Sequence, residues 1–340
     1  MISYLMQGLN HFEEKHQKIV VVNWVLGNRC NYKCSYCPQE LHDSSEDDFY
    51  HPEYFPLIQK FSSEIISQIK MRDSEKEVCF LFSGGEITLY VKYFELLEYI
   101  KSLGGKVAIV SNGSRPIEFW KNNKNFLDHL ALSFHPQYSQ IDHFKEIINL
   151  LGNHLPIHVN IMMDPQRFDY CKKVAQELAT CAHPFSISLQ PLLRDLGSTL
   201  YDYTSEQLKV LKNYSSSFHE NFSLPSKINK KQFSYRGDMM IENFNKENHG
   251  EKISAGELIA RGKNKWTGMQ CNAGLENIII DLDGEVYRSW CFLQEDHPTK
   301  KEGHIGNILE PHFKLPNDSI LCKKKYCHCT LDIMCTKKSL

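Results

Sequence analysis

The strongest constraint on the fold of this 340-residue chain is an alternation of apolar, strand-like runs with helix-like segments over roughly its first 200 residues. Two of the intervening segments, residues 54–70 and 91–103, carry apolar residues at helical spacing. This alternation predicts an α/β fold with a parallel sheet and right-handed crossovers. Eight strand–helix units would close a TIM barrel, so six predict a partial (β/α)6 TIM-like barrel. The predicted strands lie near residues 19–26, 78–83, 106–111, 129–134, 156–163 and 185–190.

The composition narrows the class of protein. An apolar fraction of 41% supports a packed core. A net charge of −2 gives no sign of the excess positive charge that is typical of nucleic-acid-binding proteins. No apolar run approaches the ~18 residues of a membrane helix. Twelve cysteines in a chain without a signal peptide, gathered mostly near its two ends, indicate metal binding rather than disulfides. We therefore expect a cytoplasmic metalloprotein without a membrane or nucleic-acid partner.

Three cysteines, Cys30, Cys34 and Cys37, lie on one short stretch after the first predicted strand. Three thiolates can hold three irons of a cubane cluster and leave the fourth iron open, whereas a structural cluster normally takes four cysteines. An open metal position is typical of a reactive site. The carboxyl end of a strand is also where α/β folds place their chemistry. A zinc site completed by a distant fourth ligand is the alternative.

This C-x3-C-x2-C loop after a first barrel strand resembles the signature of the radical S-adenosylmethionine (SAM) superfamily. The resemblance covers roughly the first 200 residues. It implies that a 4Fe-4S cluster on the three catalytic cysteines binds SAM and cleaves its carbon–sulfur bond with one electron. The resulting 5′-deoxyadenosyl radical removes a hydrogen atom from an unactivated C–H bond. The resemblance also implies a reductase or flavodoxin-type electron donor and an adenine contact for Tyr36, for which simple packing is the alternative.

A second motif, Gly84-Gly85-Glu86, follows the second predicted strand. Adjacent glycines let a backbone approach a ligand closely. The motif matches the Gly-Gly-Glu sequence with which the superfamily binds the methionine part of SAM. Ile87 stands where the family usually has proline. The resemblance therefore implies that all three motif residues bind the cofactor.

Polar residues follow the later strands of the predicted barrel. Ser111 and Asn112 come after the third strand and Ser133 ends the fourth, so we expect all three to contact the cofactor. Asn160 occupies the equivalent place in the fifth strand, and His135 is a candidate base near the substrate. A turn cap or a satisfied core polar group is the alternative for each.

A second group of cysteines lies in the C-terminal part of the chain. An Asp283-Gly284 turn between β-branched runs predicts a hairpin, which would bring Cys271 and Cys291 together. Gly274, the hairpin and Cys291 resemble the auxiliary-cluster extension called SPASM, or its shorter half, Twitch. The six cysteines of this part are Cys271, Cys291, Cys322, Cys327, Cys329 and Cys335.

Six cysteines cannot supply two clusters of four ligands each. We expect one auxiliary 4Fe-4S cluster bound by Cys271, Cys291 and two of Cys322, Cys327 and Cys329. Structural zinc is the alternative. The predicted domains are a partial barrel over residues 1–200, a helical and polar connector over 201–265 with a helix near 205–217, and a small cysteine-rich domain over 266–340.

These expectations lead to a radical SAM enzyme that oxidises, epimerises or rearranges its substrate. The cysteine loop begins at residue 30, which leaves no room for a peptide-recognition domain before it. We therefore favour a small polar substrate, namely a sugar, nucleotide or amino-acid derivative. A maturase of a ribosomally made peptide or of a protein side chain is one alternative, and a non-catalytic metal-binding or regulatory protein is another.

Overall fold

The computed structural model describes residues 8–37, 52–90, 93–183, 185–194, 199–212, 235, 237, 239–242, 250–293, 300–310, 313–327 and 329–340. The strands are β1 (Gly8–His11), β2 (Ile19–Val25), β3 (Glu77–Ser83), β4 (Lys106–Ser111), β5 (His129–Phe134), β6 (Ile157–Met163), β7 (Ser186–Pro191), β8 (Met239–Glu242), β9 (Glu251–Ile253), β10 (Gln270–Cys271), β11 (Asn277–Ile280), β12 (Glu285–Tyr287), β13 (His304–Asn307), β14 (Ile320–Leu321) and β15 (Lys337–Lys338).

The helices alternate with strands over the first half of the chain. They are α1 (Glu14–Gln17), α2 (Phe55–Arg72), α3 (Phe94–Ser102), α4 (Ile117–Asn123), α5 (Ile141–Leu151), α6 (Phe168–Leu178), α7 (residues 205–212), α8 (Ala255–Ala260), α9 (Lys300–Gly303) and α10 (Thr330–Ile333). No helix in the described residues is both long and apolar enough to cross a membrane.

The larger sheet has nine strands in the order β13-β12-β11-β2-β3-β4-β5-β6-β7. Strands β2 to β7 are parallel and form the six-stranded barrel core, so the predicted α/β fold is confirmed. Strand β11 pairs in parallel with β2, with Asn277 opposite Val21. It then turns back through Gly284 (φ 76°) into β12, as the Asp-Gly signal predicts. The C-terminal hairpin therefore extends the barrel sheet beyond its first strand.

The helices pack on the outer face of this sheet. In α2 the buried residues recur at helical spacing, for example Ile58, Phe61, Ile65 and Ile69. They join one apolar core with the alternate, outward-facing residues of β2 to β6. Each such side chain contributes about 1.5–3 kcal/mol when it is fully buried. This core holds the strand ends that carry the site.

A smaller antiparallel sheet covers part of the inner face of the barrel. Its order is β14-β10-β15-β1-β8-β9, so it joins the two ends of the chain, with Gly8 opposite Lys338. Its apolar side chains, such as Leu9, pack with Val21 and Leu81 of the barrel. Strands β8 and β9 lie within the predicted connector, and of its predicted helix only residues 205–212 are described. The proposed boundaries 1–200, 201–265 and 266–340 remain predictions.

Candidate active site

The cysteine loop leaves the barrel at the carboxyl end of β2. Leu26 continues the ladder by donating its backbone N–H to the Ser83 oxygen at 2.9 Å, and the loop then turns so that the Cys37 N–H reaches the Cys34 oxygen at 3.0 Å. Cys34 is buried, whereas Cys30 and Cys37 are half-buried. None of the chain's twelve cysteines, all of which are described, forms a disulfide. The three predicted cluster ligands therefore lie on one loop at the end of a central strand.

The Gly-Gly motif after β3 packs directly against the chain that leads into this loop. Gly85 donates its N–H to the Gly27 oxygen and Glu86 donates its N–H to the Arg29 oxygen, both at 2.7 Å. A Cβ on Gly84, which has a φ of +136°, would lie 2.3 Å from the Gly27 oxygen. A Cβ on Gly85 would lie 2.2 Å from the Arg29 oxygen. Both positions therefore need glycine to join the two loops.

Glu86 links the carboxyl ends of β3 and β4 through hydrogen bonds. Its side chain is fully buried and accepts hydrogen bonds from the Ser111 hydroxyl at 2.8 Å and from the Asn112 N–H at 2.6 Å. The Thr88 N–H and hydroxyl also donate to it. Burial raises the pKa of Glu86, while these donors offset part of that rise. The expected contact of Glu86 with the cofactor stays a prediction.

Asn112 extends this network to the first cysteine. Its side-chain Nδ2 donates to Asn31 Oδ1 at 2.9 Å and lies 3.8 Å from the Cys30 sulfur. Asn31 in turn donates to the Ser114 hydroxyl at 2.9 Å. Ser111 and Asn112, predicted as cofactor contacts, are thus buried beside the cysteine loop. Their contact with SAM remains a prediction.

His135, after β5, holds the other side of the cysteine loop. Its Nδ1 lies 2.8 Å from the Tyr36 hydroxyl and 3.4 Å from the Cys34 sulfur, and the Tyr36 ring stacks on the imidazole. Burial lowers the pKa of His135 to about 4 and raises the pKa of Tyr36. The imidazole is therefore neutral and the phenol keeps its proton, so the two groups share a hydrogen bond whose donor depends on the imidazole tautomer. The ring of Tyr36, predicted as an adenine contact, packs on a histidine.

The electrostatics of the loop favour metal-bound thiolates over unbound ones. Burial raises the pKa of Cys30 and Cys37, and it raises the pKa of Cys34 to about 12. Unbound thiols here keep their protons at neutral pH, so a bound metal must supply the positive charge that makes them thiolates. The three cysteines therefore supply the kind of donor atom, a thiolate sulfur, that an iron–sulfur cluster requires. In the described part of the chain, no three His, Cys, Asp or Glu side chains converge on a single-ion site.

A polar network lies on the inner face of the barrel beside Ser133. Ser133 is half-buried in β5 and pairs with Asn160 of β6. Asn160 Oδ1 accepts a hydrogen bond from the Ser188 hydroxyl at 2.8 Å. His158 reaches Ser188 at 3.0 Å and Ser186 at 2.6 Å. Sequence reasoning missed His158, Ser186 and Ser188. The polar residues at every second position of β6 and β7 could have revealed them.

The C-terminal cysteines come from four separate segments. Cys271 in β10 lies opposite Ile320 of β14, and Cys322 follows β14 directly. Cys291 follows the hairpin and donates its N–H to the buried Asp332 carboxylate at 3.0 Å. Cys327 is held by the 2.8 Å hydrogen bond from its N–H to the backbone oxygen of residue 264.

Four of these cysteines interact electrostatically with one another, and Cys335 interacts with Cys271 as well. Cys291 interacts with Cys271 and Cys322, and Cys327 interacts with Cys271 and Cys291. Burial raises the pKa of each of these thiols. Cys329 immediately precedes α10 and packs against the core between the sheets. Binding of an auxiliary cluster by Cys329, or by the other four predicted ligands, remains a prediction.

Comparison with known proteins identifies the barrel. A family model described as the Radical SAM superfamily matches residues 24–149, which contain the cysteine loop and the Gly-Gly-Glu motif. The "Probable GTP 3',8-cyclase" of Methanocaldococcus jannaschii is 24% identical over 316 residues, 85% of this chain and 90% of that protein. An S-adenosylmethionine-dependent nucleotide dehydratase of Lacinutrix mariniflava is 31% identical over 131 residues, 37% of this chain and 26% of that protein. This chain thus matches only about a quarter of the dehydratase.

Two solved structures have a weak likeness to this chain. The crystal structure of Streptococcus suis SuiB bound to S-adenosylmethionine has a TM-score of 0.48 at 15% identity, over 88% of this chain and 66% of that one. The crystal structure of BtrN in complex with AdoMet and 2-DOIA has a TM-score of 0.39 at 12% identity, over 86% and 80%. These likenesses are too low to bear on function. From the barrel, its cysteine loop and the family match over residues 24–149, this part of the chain is a radical SAM domain of the 4Fe-4S, SAM-dependent type.

Proposed function

We propose that this enzyme abstracts a hydrogen atom from a C–H bond of a small polar substrate, and that the substrate is a nucleotide. When bound, the cluster and SAM supply the electron and the 5′-deoxyadenosyl radical for that step. The chain's own residues position the substrate carbon and keep water from the reaction.

The observation that carries the proposal is the polar network on the inner face of β6 and β7. His158, Ser186 and Ser188 are half-buried in the amino-terminal halves of β6 and β7, so their polar atoms can reach a molecule bound inside the barrel. A hydroxyl, an amide and a neutral imidazole can each donate and accept hydrogen bonds, which suits ribose hydroxyls and base edges. The relatives named as a GTP 3',8-cyclase and as nucleotide dehydratases favour a nucleotide within the class of small polar substrates.

The C-terminal cysteines add a second element to the proposal. Cys271, Cys291, Cys322 and Cys327, here named the auxiliary thiol group, each interact electrostatically with at least one other member of the group, and Cys335 also interacts with Cys271. We propose that they bind one auxiliary 4Fe-4S cluster, which narrows the earlier choice among Cys322, Cys327 and Cys329. A bound auxiliary cluster would suit an oxidation, because it can accept an electron from the substrate side.

The test is anaerobic reconstitution with iron and sulfide, followed by dithionite, SAM and a panel of candidate substrates. The panel contains the four ribonucleoside triphosphates, a nucleotide sugar and a short peptide, and 5′-deoxyadenosine is measured by liquid chromatography. We expect one nucleotide to raise 5′-deoxyadenosine release and to change in mass. Stimulation by the peptide alone would contradict the proposed substrate. The absence of 5′-deoxyadenosine from fully iron-loaded protein would favour a binding protein instead.

A pair of variants tests the inner face. Asn160→Ala removes the acceptor at the centre of the network, so we expect KM for the nucleotide to rise roughly 5- to 150-fold, equivalent to about 1–3 kcal/mol. Substrate-independent SAM cleavage should stay at the parent rate. Asn123→Ala in α4, whose side chain bonds only the Phe119 oxygen among described partners, is the matched control. An unchanged KM in Asn160→Ala would remove the network from substrate binding.

A further inference from the structure

Lys337 is a buried lysine within the C-terminal cysteine-rich region. Its side chain is 1% exposed, which is rare for lysine. Its ammonium donates to the backbone oxygens of Asp332 at 2.6 Å, Ile333 at 3.1 Å and Cys335 at 2.7 Å. It also lies 4.6 Å from the centre of the Trp266 ring. Three acceptors and an aromatic face hold the charge in a fixed place.

The position of Lys337 sets it beside the auxiliary thiol group. In the small sheet, Lys337 of β15 is the direct cross-strand partner of Cys271 of β10. Its ammonium interacts electrostatically with Cys271, Cys327 and Cys335, and it also acts on Cys322. Because the three ammonium protons go to backbone oxygens, Lys337 acts on the thiols through its charge and not through a hydrogen bond.

The neighbouring acid does not simply neutralise this cation. Asp332 is also buried, but its carboxylate accepts from the N–H groups of Trp290 and Cys291 and from the Asn277 side chain. Those donors stabilise the Asp332 charge together with Lys337, whose ammonium contacts the backbone oxygen of Asp332 and forms no hydrogen bond to its carboxylate among the described contacts. Lys337 thus remains available as a counter-charge for anions bound nearby. A cluster with four thiolate ligands carries net negative charge, and reduction adds one more.

We infer that Lys337 is the buried counter-cation of an auxiliary cluster held by Cys271, Cys291, Cys322 and Cys327, and that its charge raises the reduction potential of that cluster. This inference rests on the proposed auxiliary site. A cation in a low-dielectric interior stabilises the reduced, more negative cluster more than the oxidised one. The contrasting account is that Lys337 only caps the carbonyl end of α10.

The experiment uses the full chain with Cys30, Cys34 and Cys37 changed to alanine, so that the auxiliary cluster is the only one expected. After anaerobic reconstitution, iron is counted and the reduction potential is measured by a redox titration followed by electron paramagnetic resonance. Lys337→Met removes the charge, Lys337→Gln removes it but keeps N–H donors, and Lys337→Arg keeps it. Lys323→Met is the control, because Lys323 is exposed and its partner is Glu302.

We expect the two neutral variants to shift the reduction equilibrium at least tenfold toward the oxidised state, which is about 59 mV for one electron. Lys337→Arg and Lys323→Met should stay at the parent value. Equal potentials in all iron-loaded variants would overturn the inference and leave the capping account. If only the neutral variants lose iron, the charge is required to hold the cluster, which supports the counter-cation role of Lys337. Iron loss in Lys337→Arg as well would overturn that role. If the parent with three alanines binds no iron, the auxiliary site itself is refuted.

Discussion

The contact between the two loops of the site predicts a large effect for Gly85→Ala. A methyl group at Gly85 would lie 2.2 Å from the Arg29 oxygen and 2.6 Å from its carbonyl carbon. Both atoms belong to the backbone, so they cannot rotate away as a flexible side chain could. The cysteine loop and the Gly-Gly loop would therefore have to separate, and Cys30 would move with its chain.

The structure allows the cost to be worked out. Overpacking of a close contact costs about 1–3 kcal/mol. Separation of the loops also breaks the hydrogen bonds from Gly85 to Gly27 and from Glu86 to Arg29, each 2.7 Å long and each contributing about 0.5–1.5 kcal/mol. We therefore expect Gly85→Ala to lower the free energy of unfolding by roughly 2–6 kcal/mol. The N-terminal cluster, about four irons per chain, should be lost as well.

The assay is urea unfolding followed by circular dichroism, together with iron counting after anaerobic reconstitution. Gly104→Ala is the matched control, since a Cβ at Gly104 meets no atom within 4 Å and only its φ of +79° opposes alanine. That control should cost about 1–2 kcal/mol and retain all iron. Parent-like unfolding and full iron content in Gly85→Ala would refute the argument from loop contact.

Three further predictions follow from the site and from the packing of the two sheets. Cys34→Ala should remove about four irons per chain and abolish 5′-deoxyadenosine release, and residual release at the parent rate would contradict its role. Cys291→Ala should keep cofactor cleavage but lose product formation, whereas full turnover would make the auxiliary site structural. Burial alone would raise the pKa of Glu276, but hydrogen bonds from His11, Asn272 and the Thr336 N–H lower it to about 2. Because the pKa is lower in the folded state, the Glu276 carboxylate stabilises the fold by roughly 3 kcal/mol above pH 4.5, and this contribution is lost as the pH falls toward 2. In acid unfolding of the apo-protein, we therefore expect the stability of Glu276→Gln to depend less steeply on pH than that of the parent. An equal pH slope in the two proteins would contradict this prediction.

The first four barrel strands, β2 to β5, were predictable because most of their residues are buried on both faces. The observed β4 and β5 have the predicted bounds, residues 106–111 and 129–134, and β2 and β3 differ from theirs by one residue. Short continuous apolar runs predict such strands, and the glycine in the Asp283-Gly284 turn fixes the hairpin.

The small sheet was not predictable from pattern. Its strands are two to four residues long, too short for a period to show, and its pairing joins Gly8 to Lys338 across the whole chain. The packing roles of the site residues were likewise not predictable from the sequence pattern. Gly84 and Gly85 were assigned to the cofactor by resemblance, and their contact with Gly27 depends on two strands being neighbours in space. A buried lysine such as Lys337 gives no signal in a sequence, because its partners are backbone oxygens.

The central claim is that Cys30, Cys34 and Cys37 hold a cluster with one iron open to SAM. The most direct measurement is electron paramagnetic resonance of the dithionite-reduced protein in which only this site is loaded, with Cys271 and Cys291 changed to alanine, recorded with and without SAM. The account predicts a 4Fe-4S signal whose g-values shift when SAM is added. A signal that SAM leaves unchanged, or protein that carries only zinc on these three thiols, would contradict it.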